Sequence, residues 1–189
     1  MDRPMVVLFL LGFLMLGLVH RADGQLVIGV YDQRAVGGQG ASVDGLVRGL
    51  NRHGYKAEAF TSLQTLTLLQ YDIVYLSDMH SPGNVGREWT QALKAFVSDG
   101  GSVLQTWHHH ILGDVGVGIQ RIYGSRRMHV QPGHAAVAGV ADFDASFGDH
   151  IIERVGPAGT VILTNDAGQP VAVAGSLGKG KVISTGLAL

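Results

Sequence analysis

The chain has 189 residues, with 14 Lys+Arg against 15 Asp+Glu and a formal net charge of −1, and this length suits one domain with a sizeable core. The near-neutral balance offers no basic surface large enough to hold a nucleic-acid backbone, so we expect no nucleic-acid partner. The 28 glycines follow no fixed period, which excludes a collagen-like or low-complexity chain.

Residues 1–24 have the pattern of a secretory signal peptide. Arg3 precedes an apolar run at Met5–Val19, and the small residues of Ala22–Gly24 suit a cleavage site directly after them. The run is about 15 residues long, short of the roughly 20 that span a bilayer as a helix. We expect a secreted or periplasmic domain at 25–189. A leader that stays uncleaved and anchors the chain in the membrane is the alternative.

Several common catalytic chemistries are excluded by the sequence. The chain contains no cysteine, so neither a thiol nucleophile nor disulfide stabilisation is possible. The glycines of Gly37–Gly40 lack the third glycine of a dinucleotide-binding loop, because Val43 takes its place. No P-loop pattern occurs, and Ala174–Gly178 lacks the first glycine of a serine-hydrolase elbow. We therefore expect no bound cofactor.

Strands and helices alternate in the first half of the mature chain. Four segments are predicted to be strands: Leu26–Tyr31, Tyr55–Phe60, Tyr71–Leu76 and Ser102–Thr106. The first is a continuous apolar run, which is typical of a strand buried on both faces of a parallel sheet. Apolar residues at helical spacing predict the connecting helices: Ser42–His53, a short turn near Leu63–Leu69, a helix that follows Ser81–Asn84 and ends near Ser98, and Ile111–Tyr123. These connections are long enough for right-handed crossovers between parallel strands.

The C-terminal part of the chain has a different pattern. Val161–Thr164, Pro170–Ala174 and Lys181–Thr185 are short apolar strands, separated by the turn sequences Asn165–Gly168 and Leu177–Gly180. We therefore predict an α/β fold, a three-layer α/β/α sandwich around a flavodoxin-like, mostly parallel sheet with an antiparallel C-terminal β-meander.

Polar side chains follow three of the predicted strands, at the point where each strand ends. Asp32 follows the first strand, Asp78 and His80 follow the third, and Trp107–His110 follow the fourth. In an open α/β sheet, ligands bind outside the carboxyl ends of the strands, at the switch point of the strand order. With the strand order 2-1-3-4 of flavodoxin-like sheets, we expect these side chains to meet at one edge and to form a polar pocket.

The histidines of this edge have more than one interpretation. A neutral imidazole can act as a general acid or base near pH 7 or can bind a metal ion, so His80, His108 and His109 are candidate catalytic groups. His134 and Asp149, from the later half of the chain, are candidates for the rim of the same pocket. Alternatively the histidines are structural, with one ring buried and hydrogen-bonded and the others solvated. No H-E-x-x-H pattern is present, and we expect no metal site.

Trp107 also has two interpretations. Beside a polar pocket, its ring can stack on the apolar face of a sugar and its N–H can donate a hydrogen bond. It can equally be a core residue that closes the fourth strand against a helix, and both possibilities stay open at this point.

Five segments occur in an order and spacing that is typical of one family: Tyr71–Val74, Phe96–Gly101 with a following strand that runs into the histidines at 108–110, His134–Val140, Phe147–His150 and Gly178–Val182. Together they resemble the ThuA-like (trehalose-utilisation type) branch of the class I glutamine amidotransferase-like superfamily, over roughly residues 26–187. The resemblance implies a flavodoxin-like sandwich and a link to carbohydrate metabolism. The amidotransferases use a cysteine nucleophile, so this chain has no glutaminase chemistry.

These observations predict an exported domain that binds a carbohydrate, with modification of that carbohydrate by histidine acid/base chemistry left open. The predicted catalytic groups are His80, His108 and His109. The predicted substrate-binding groups are Asp32, Asp78, Trp107, His134 and Asp149.

Two other functions stay open beside this one. Ala135 stands where the family has proline and His150 where an acid is usual, which would suit a non-catalytic interaction module on the same scaffold. A metal-dependent hydrolase is the remaining alternative.

Overall fold

The computed structural model describes residues 25–36, 43–76, 86–106, 111–120, 126–145 and 150–187. The strands are β1 (Val27–Tyr31), β2 (Lys56–Phe60), β3 (Ile73–Leu76), β4 (Ser102–Thr106), β5 (Gly116–Gln120), β6 (Arg127–Val130), β7 (Phe143–Asp144), β8 (His150–Val155), β9 (Gly159–Asn165), β10 (Pro170–Leu177) and β11 (Gly180–Thr185). The α-helices are α1 (Val43–Arg52), α2 (Thr65–Leu68) and α3 (Arg87–Ser98), and short 3-10 turns lie at Gln33–Val36 and Ala135–Val137. The predicted α/β class is confirmed.

The main sheet has nine strands in the order β2-β1-β3-β4-β11-β10-β9-β6-β7. Its first part has the strand order 2-1-3-4 that we expected, and the strands from β2 to β11 pair in parallel. The strands from β11 to β7 pair antiparallel. The C-terminal meander is therefore continuous with the parallel part, because β11 lies directly beside β4, and the whole sheet is mixed.

Side chains of the parallel strands alternate between two apolar clusters, one on each face of the sheet. In β1, Ile28 and Val30 belong to one cluster and Tyr31 belongs to the other. Helix α1 packs into the first cluster through Val43 and Leu50, and helix α3 packs into the second. Both faces of these strands are thus buried, as is typical of parallel sheets.

The predicted helix at 111–123 is wrong. The residues at 111–115 form a turn, and β5 then pairs antiparallel with β8 in a separate two-stranded sheet. A Cβ at Gly116 would lie 3.2 Å from Ile152 Cγ2 and 3.4 Å from Ser184 Cβ, so glycine allows β5 to pack closely on β8 and β11. Each glycine destabilises a helix by about 1 kcal/mol relative to alanine. The pairing of β5 with β8 therefore outweighs the helical spacing of the apolar residues in this segment.

Helix α3 is held closely against the start of β11. A Cβ at Gly180 would overlap the backbone carbonyl oxygens of Val97 and Gly101, so only glycine fits at this position. The Lys179 N–H donates to the Ser98 carbonyl at 3.0 Å, which satisfies an acceptor at the end of the helix. This contact fixes α3 over the parallel strands.

No helix in the described ranges is both long and apolar enough to cross a bilayer. The predicted signal peptide at 1–24 lies outside the described residues, and export stays a prediction.

Candidate functional site

The carboxyl ends of β1, β3, β4 and β11 lie next to one another at one edge of the sheet, which we call the carboxyl edge. The strand register aligns Tyr31 with Leu76, Leu76 with Gln105, and Gln105 with Ser184. The segments that hold the predicted imidazoles follow β3 and β4 directly in the sequence. This is the edge at which open α/β sheets bind ligands.

Asp32 lies at the carboxyl edge, directly after β1, and is almost fully buried at 8% exposure. Its N–H extends the pairing of β1 with β2 by donating to the Phe60 carbonyl at 2.7 Å. Both of its carboxylate oxygens accept hydrogen bonds from Arg34, with Nε at 2.8 Å from Oδ1 and at 3.0 Å from Oδ2. The hydrogen bonds from Arg34 lower the pKa of Asp32 below its ordinary value, against the effect of burial. Asp32 is therefore an ionised anchor for the Arg34 side chain.

Arg34 is a residue of this edge that the sequence-based selection left out. Its guanidinium is half-exposed and also lies 3.8 Å from an Asp44 carboxylate oxygen. The 3-10 turn at Gln33–Val36 places Arg34 two residues after Asp32, and the Arg34 N–H donates to Asp32 Oδ1 at 3.1 Å. The carboxylates of Asp32 and Asp44 thus balance the positive charge of Arg34. In the ion pair of Arg34 with Asp32, the guanidinium is the more exposed group.

Three polar side chains lie on the α3 face of the sheet just inside the carboxyl edge: Tyr31, Gln105 and Ser184, which we call the polar row. All three are fully buried. Gln105 Nε2 donates to Ser184 Oγ at 2.6 Å. Tyr31 Oη and Gln105 Oε1 have no hydrogen-bond partner among the described residues. Buried polar atoms without a partner are uncommon in folded proteins, and each one requires an explanation.

The ring of Tyr31 is held in place by two aromatic neighbours. Its centroid lies 5.6 Å from that of Phe60, and it meets Trp89 of α3 edge-on at 6.3 Å and 85°. Burial, with a smaller effect from the charge of Asp32, raises the pKa of Tyr31 to about 12. The hydroxyl therefore stays neutral and has a fixed direction.

His134 lies towards the opposite end of the sheet from Asp32. Strand β6 runs from the carboxyl edge towards the amino ends of the parallel strands, and His134 follows it. Burial lowers the pKa of His134, and the ammonium of Lys181 adds to the effect; Lys181 pairs with Ser102, the first residue of β4. His134 Nδ1 accepts a hydrogen bond from the Ala136 N–H at 3.1 Å and so caps the 3-10 turn. The structure does not bring His134 together with Asp32.

A second histidine, His129 in β6, forms an exposed cluster with two carboxylates. Its Nδ1 lies 2.9 Å from Asp142 Oδ2, and its Nε2 lies 2.6 Å from Asp166 Oδ1. These hydrogen bonds, first that to Asp166, raise the pKa of His129 above its ordinary value. Four strand spacings separate β6 from β4, which is about 19 Å at roughly 4.8 Å per strand. The cluster therefore does not belong to the carboxyl edge of β1, β3 and β4.

The other six predicted site residues all lie outside the described ranges: His80, His108, His109, Asp78, Trp107 and Asp149. Within the described ranges, no group of three or more His, Asp or Glu side chains is arranged to hold a metal ion.

The sequence contains a signal for the polar row that was not used when the candidate site residues were chosen. Gln105, Thr106, Ser184 and Thr185 are polar residues at the carboxyl ends of otherwise apolar strands, and all four are buried.

No family model and no curated protein matches the chain. Solved structures do match. A ThuA-like protein from Bacteroides uniformis is 12% identical, with a TM-score of 0.60 over 89% of this chain and 84% of that one. The cytoplasmic protein STM3548 from Salmonella typhimurium is 14% identical, with a TM-score of 0.55 over 85% of this chain and 86% of that one. A β-galactosidase from Bacillus circulans sp. alkalophilus is 12% identical, with a TM-score of 0.63 over 86% of this chain but only 28% of the enzyme.

At these identities the likeness shows the fold alone. The chain has the fold of ThuA-like proteins, and that fold also occurs as a part of larger β-galactosidases.

Proposed function

We propose that this chain is an exported domain that binds a saccharide at the carboxyl edge of β1, β3, β4 and β11. One observation carries the proposal: the parallel order β2-β1-β3-β4-β11 puts Asp32, after β1, at the same edge at which β3 and β4 end. The segments with the predicted imidazoles follow those two strands directly in the sequence. The same order supports a flavodoxin-like, three-layer arrangement, with helices on both faces of the parallel strands.

The predicted groups that follow β3 and β4 have separate tasks in this site. His80, His108 and His109 supply groups that can donate or accept a proton at neutral pH. Trp107 and Asp78 supply an apolar ring face and a hydrogen-bond acceptor for sugar hydroxyls. Asp149 is kept as a substrate-binding candidate. His134 is not included, because its ring caps a turn towards the amino ends of the parallel strands.

A saccharide is the favoured ligand because several of the matching structures are of proteins named for their action on sugars. Besides ThuA-like proteins they include β-galactosidases and an exo-β-1,4-mannosidase, whose names state that they act on sugars. The fold likeness alone does not transfer their activities, so the proposal is limited to binding and to proton transfer by the imidazoles.

Saccharide binding is tested by the melting temperature of the purified chain with a panel of neutral mono- and disaccharides. A saturating ligand at about 100 times its Kd stabilises the folded state by roughly 2.7 kcal/mol, which raises the melting temperature measurably. We expect His109→Ala to abolish this rise, and the control His53→Ala, an exposed residue just after α1, to keep it. The proposal is rejected if no sugar raises the melting temperature, or if His109→Ala responds to the sugar as the unmodified chain does.

Export is tested separately, by the N-terminus of the protein expressed with its leader. A signal peptide at 1–24 predicts a product that begins at Gln25 and is recovered outside the cytoplasm. Full-length chain recovered with the cytoplasm would contradict this part of the proposal, and full-length chain recovered with the membrane would favour the uncleaved anchor.

A further inference from the structure

The polar row contains two buried polar atoms that the described protein does not satisfy. Tyr31 Oη and Gln105 Oε1 are buried, and neither has a hydrogen-bond partner among the described residues. A polar group left unpaired in a protein interior costs about 1–3 kcal/mol of stability. Such a cost is commonly tolerated where a ligand supplies the missing partner.

The two atoms belong to the same face and the same level of the sheet. Tyr31 and Gln105 both align with Leu76, which separates them, so their strands lie about 10 Å apart at two strand spacings. Gln105 Nε2 is committed to Ser184 on the far side, which leaves Oε1 as the free end of the carboxamide. Packing against Phe60 and Trp89 fixes the direction of the Tyr31 hydroxyl.

The chemistry of these atoms defines the group that can bind them. A carboxamide oxygen only accepts hydrogen bonds, whereas a phenol hydroxyl both donates and accepts. The partner of Gln105 Oε1 must therefore be a donor, as the hydroxyl of a sugar is. A fully ionised phosphate or carboxylate oxygen cannot donate, and it would face the carboxamide oxygen with its own lone pairs.

The charges described nearby point to the same class of ligand. Tyr31, Leu76, Gln105 and Ser184 carry no charge, and burying an ion against uncharged groups is costly. The Arg34 guanidinium, a cation at this edge, is already matched by Asp32 and Asp44. No excess positive charge is thus present in this part of the site to attract an anion.

We propose that the polar row is the hydrogen-bonding base of the saccharide site, and that it selects uncharged polyhydroxy ligands over phosphorylated or carboxylated sugars. This inference rests on the proposed function. In it, one sugar hydroxyl donates to Gln105 Oε1 and a neighbouring hydroxyl bonds Tyr31 Oη.

Calorimetric titration of the full chain with glucose, maltose, lactose, glucose 6-phosphate and glucuronate tests the inference. We expect the uncharged sugars to bind and the two anions to bind at least tenfold more weakly. We expect Tyr31→Phe to weaken binding of the uncharged sugar roughly tenfold, the loss of one hydrogen bond. The melting temperature without sugar should stay the same or rise, because the variant no longer buries an unpaired hydroxyl. Tyr75→Phe is the matched control, because Tyr75 is also buried in a strand but belongs to the cluster on the opposite face. It should leave the affinity unchanged.

The outcomes separate this inference from the proposed function. If no sugar of either kind binds, the proposed function itself fails. If sugars bind but Tyr31→Phe binds as tightly as the unmodified chain, or if the phosphorylated sugar binds more tightly, the proposed function stands and the polar row is not its base. A lower melting temperature of Tyr31→Phe without sugar would show that the hydroxyl has a protein partner, and this would also overturn the inference.

Discussion

Gln105 and Ser184 meet across the parallel strands β4 and β11, where Gln105 Nε2 donates to Ser184 Oγ at 2.6 Å and both side chains are fully buried. The two residues are 79 positions apart in the chain. Their hydrogen bond joins β11 to the neighbouring strand β4, next to the carboxyl edge. It is a structural contact and also sets the direction of the carboxamide that we assign to the ligand.

Removing the hydroxyl of this pair should destabilise the fold. Ser184→Ala leaves Gln105 Nε2 buried without its acceptor, and we expect a loss of about 1–3 kcal/mol in the free energy of unfolding. Ser176→Ala is the control, because its hydroxyl accepts from Lys181 Nζ at 3.0 Å on the exposed surface. That change should cost less than about 0.5 kcal/mol. Urea unfolding at equilibrium measures both, and equal effects would contradict the assigned role of Gln105.

Two glycine-to-alanine substitutions should change the stability of the fold in opposite directions. Gly180→Ala drives a methyl group into the carbonyl oxygens of Val97 and Gly101, so we expect a loss of about 1–3 kcal/mol or more. Gly45→Ala, within α1, meets nothing within 4 Å and should stabilise the chain by about 0.5–1 kcal/mol, because alanine suits a helix better. The melting temperatures of the two variants test the close contact between α3 and β11. A neutral Gly180→Ala would mean that this contact is loose.

The cluster around His129 should make stability depend on pH. Its neighbours Asp166 and Asp142 raise the pKa of His129 above the ordinary value of 6.5, so the contribution to stability is fully present below that value. It is lost as the pH rises through the raised folded-state pKa. The difference in melting temperature between the unmodified chain and His129→Gln should therefore be largest below about pH 6.5 and shrink as the pH rises through the raised pKa of His129.

His53→Gln is the control for this pH series, since His53 is exposed and lies just after α1. Its effect on the melting temperature should change little over the same range. An effect of His129→Gln that stays constant with pH, or grows towards alkaline pH, would show that the imidazole is not held as a cation between its carboxylates.

His134 should matter for stability and not for binding. His134→Ala removes the acceptor for the Ala136 N–H, and we expect a loss of about 1 kcal/mol, as for other capping residues. His134→Asn supplies a side-chain oxygen at the same place and should restore most of that loss. Affinity for a saccharide should be unchanged in both variants. A selective loss of affinity in His134→Asn would return His134 to the ligand site.

The parallel part of the fold could be predicted because its signals are local. Apolar runs such as Ile73–Leu76, with a crossover between each and the next, predict buried parallel strands without knowledge of distant contacts. The region of β5 could not be predicted in this way. Its pairing with β8 and the close approach at Gly116 depend on residues far along the chain, whereas the helical spacing was a local coincidence.

The position of the candidate site at one edge of the sheet could be predicted from the sequence. The side chains that form the site could be predicted less well. Asp32 lies at the expected edge, but its carboxylate is used by Arg34, which only the geometry of the turn reveals. The polar row depends on the register that aligns Tyr31, Gln105 and Ser184 across four strands, and a sequence alone does not fix register between distant strands. His134 illustrates the converse, because a residue that the sequence suggested for the rim of the same pocket lies towards the other end of the sheet.

A crystal structure of the chain with the neutral sugar that raises its melting temperature tests the central claim most directly. We predict the sugar at the carboxyl ends of β1, β3 and β4, with hydroxyls within hydrogen-bonding distance of Tyr31 Oη and Gln105 Oε1. Sugar bound elsewhere, for example beside Lys181 at the amino ends of the parallel strands, would contradict the account.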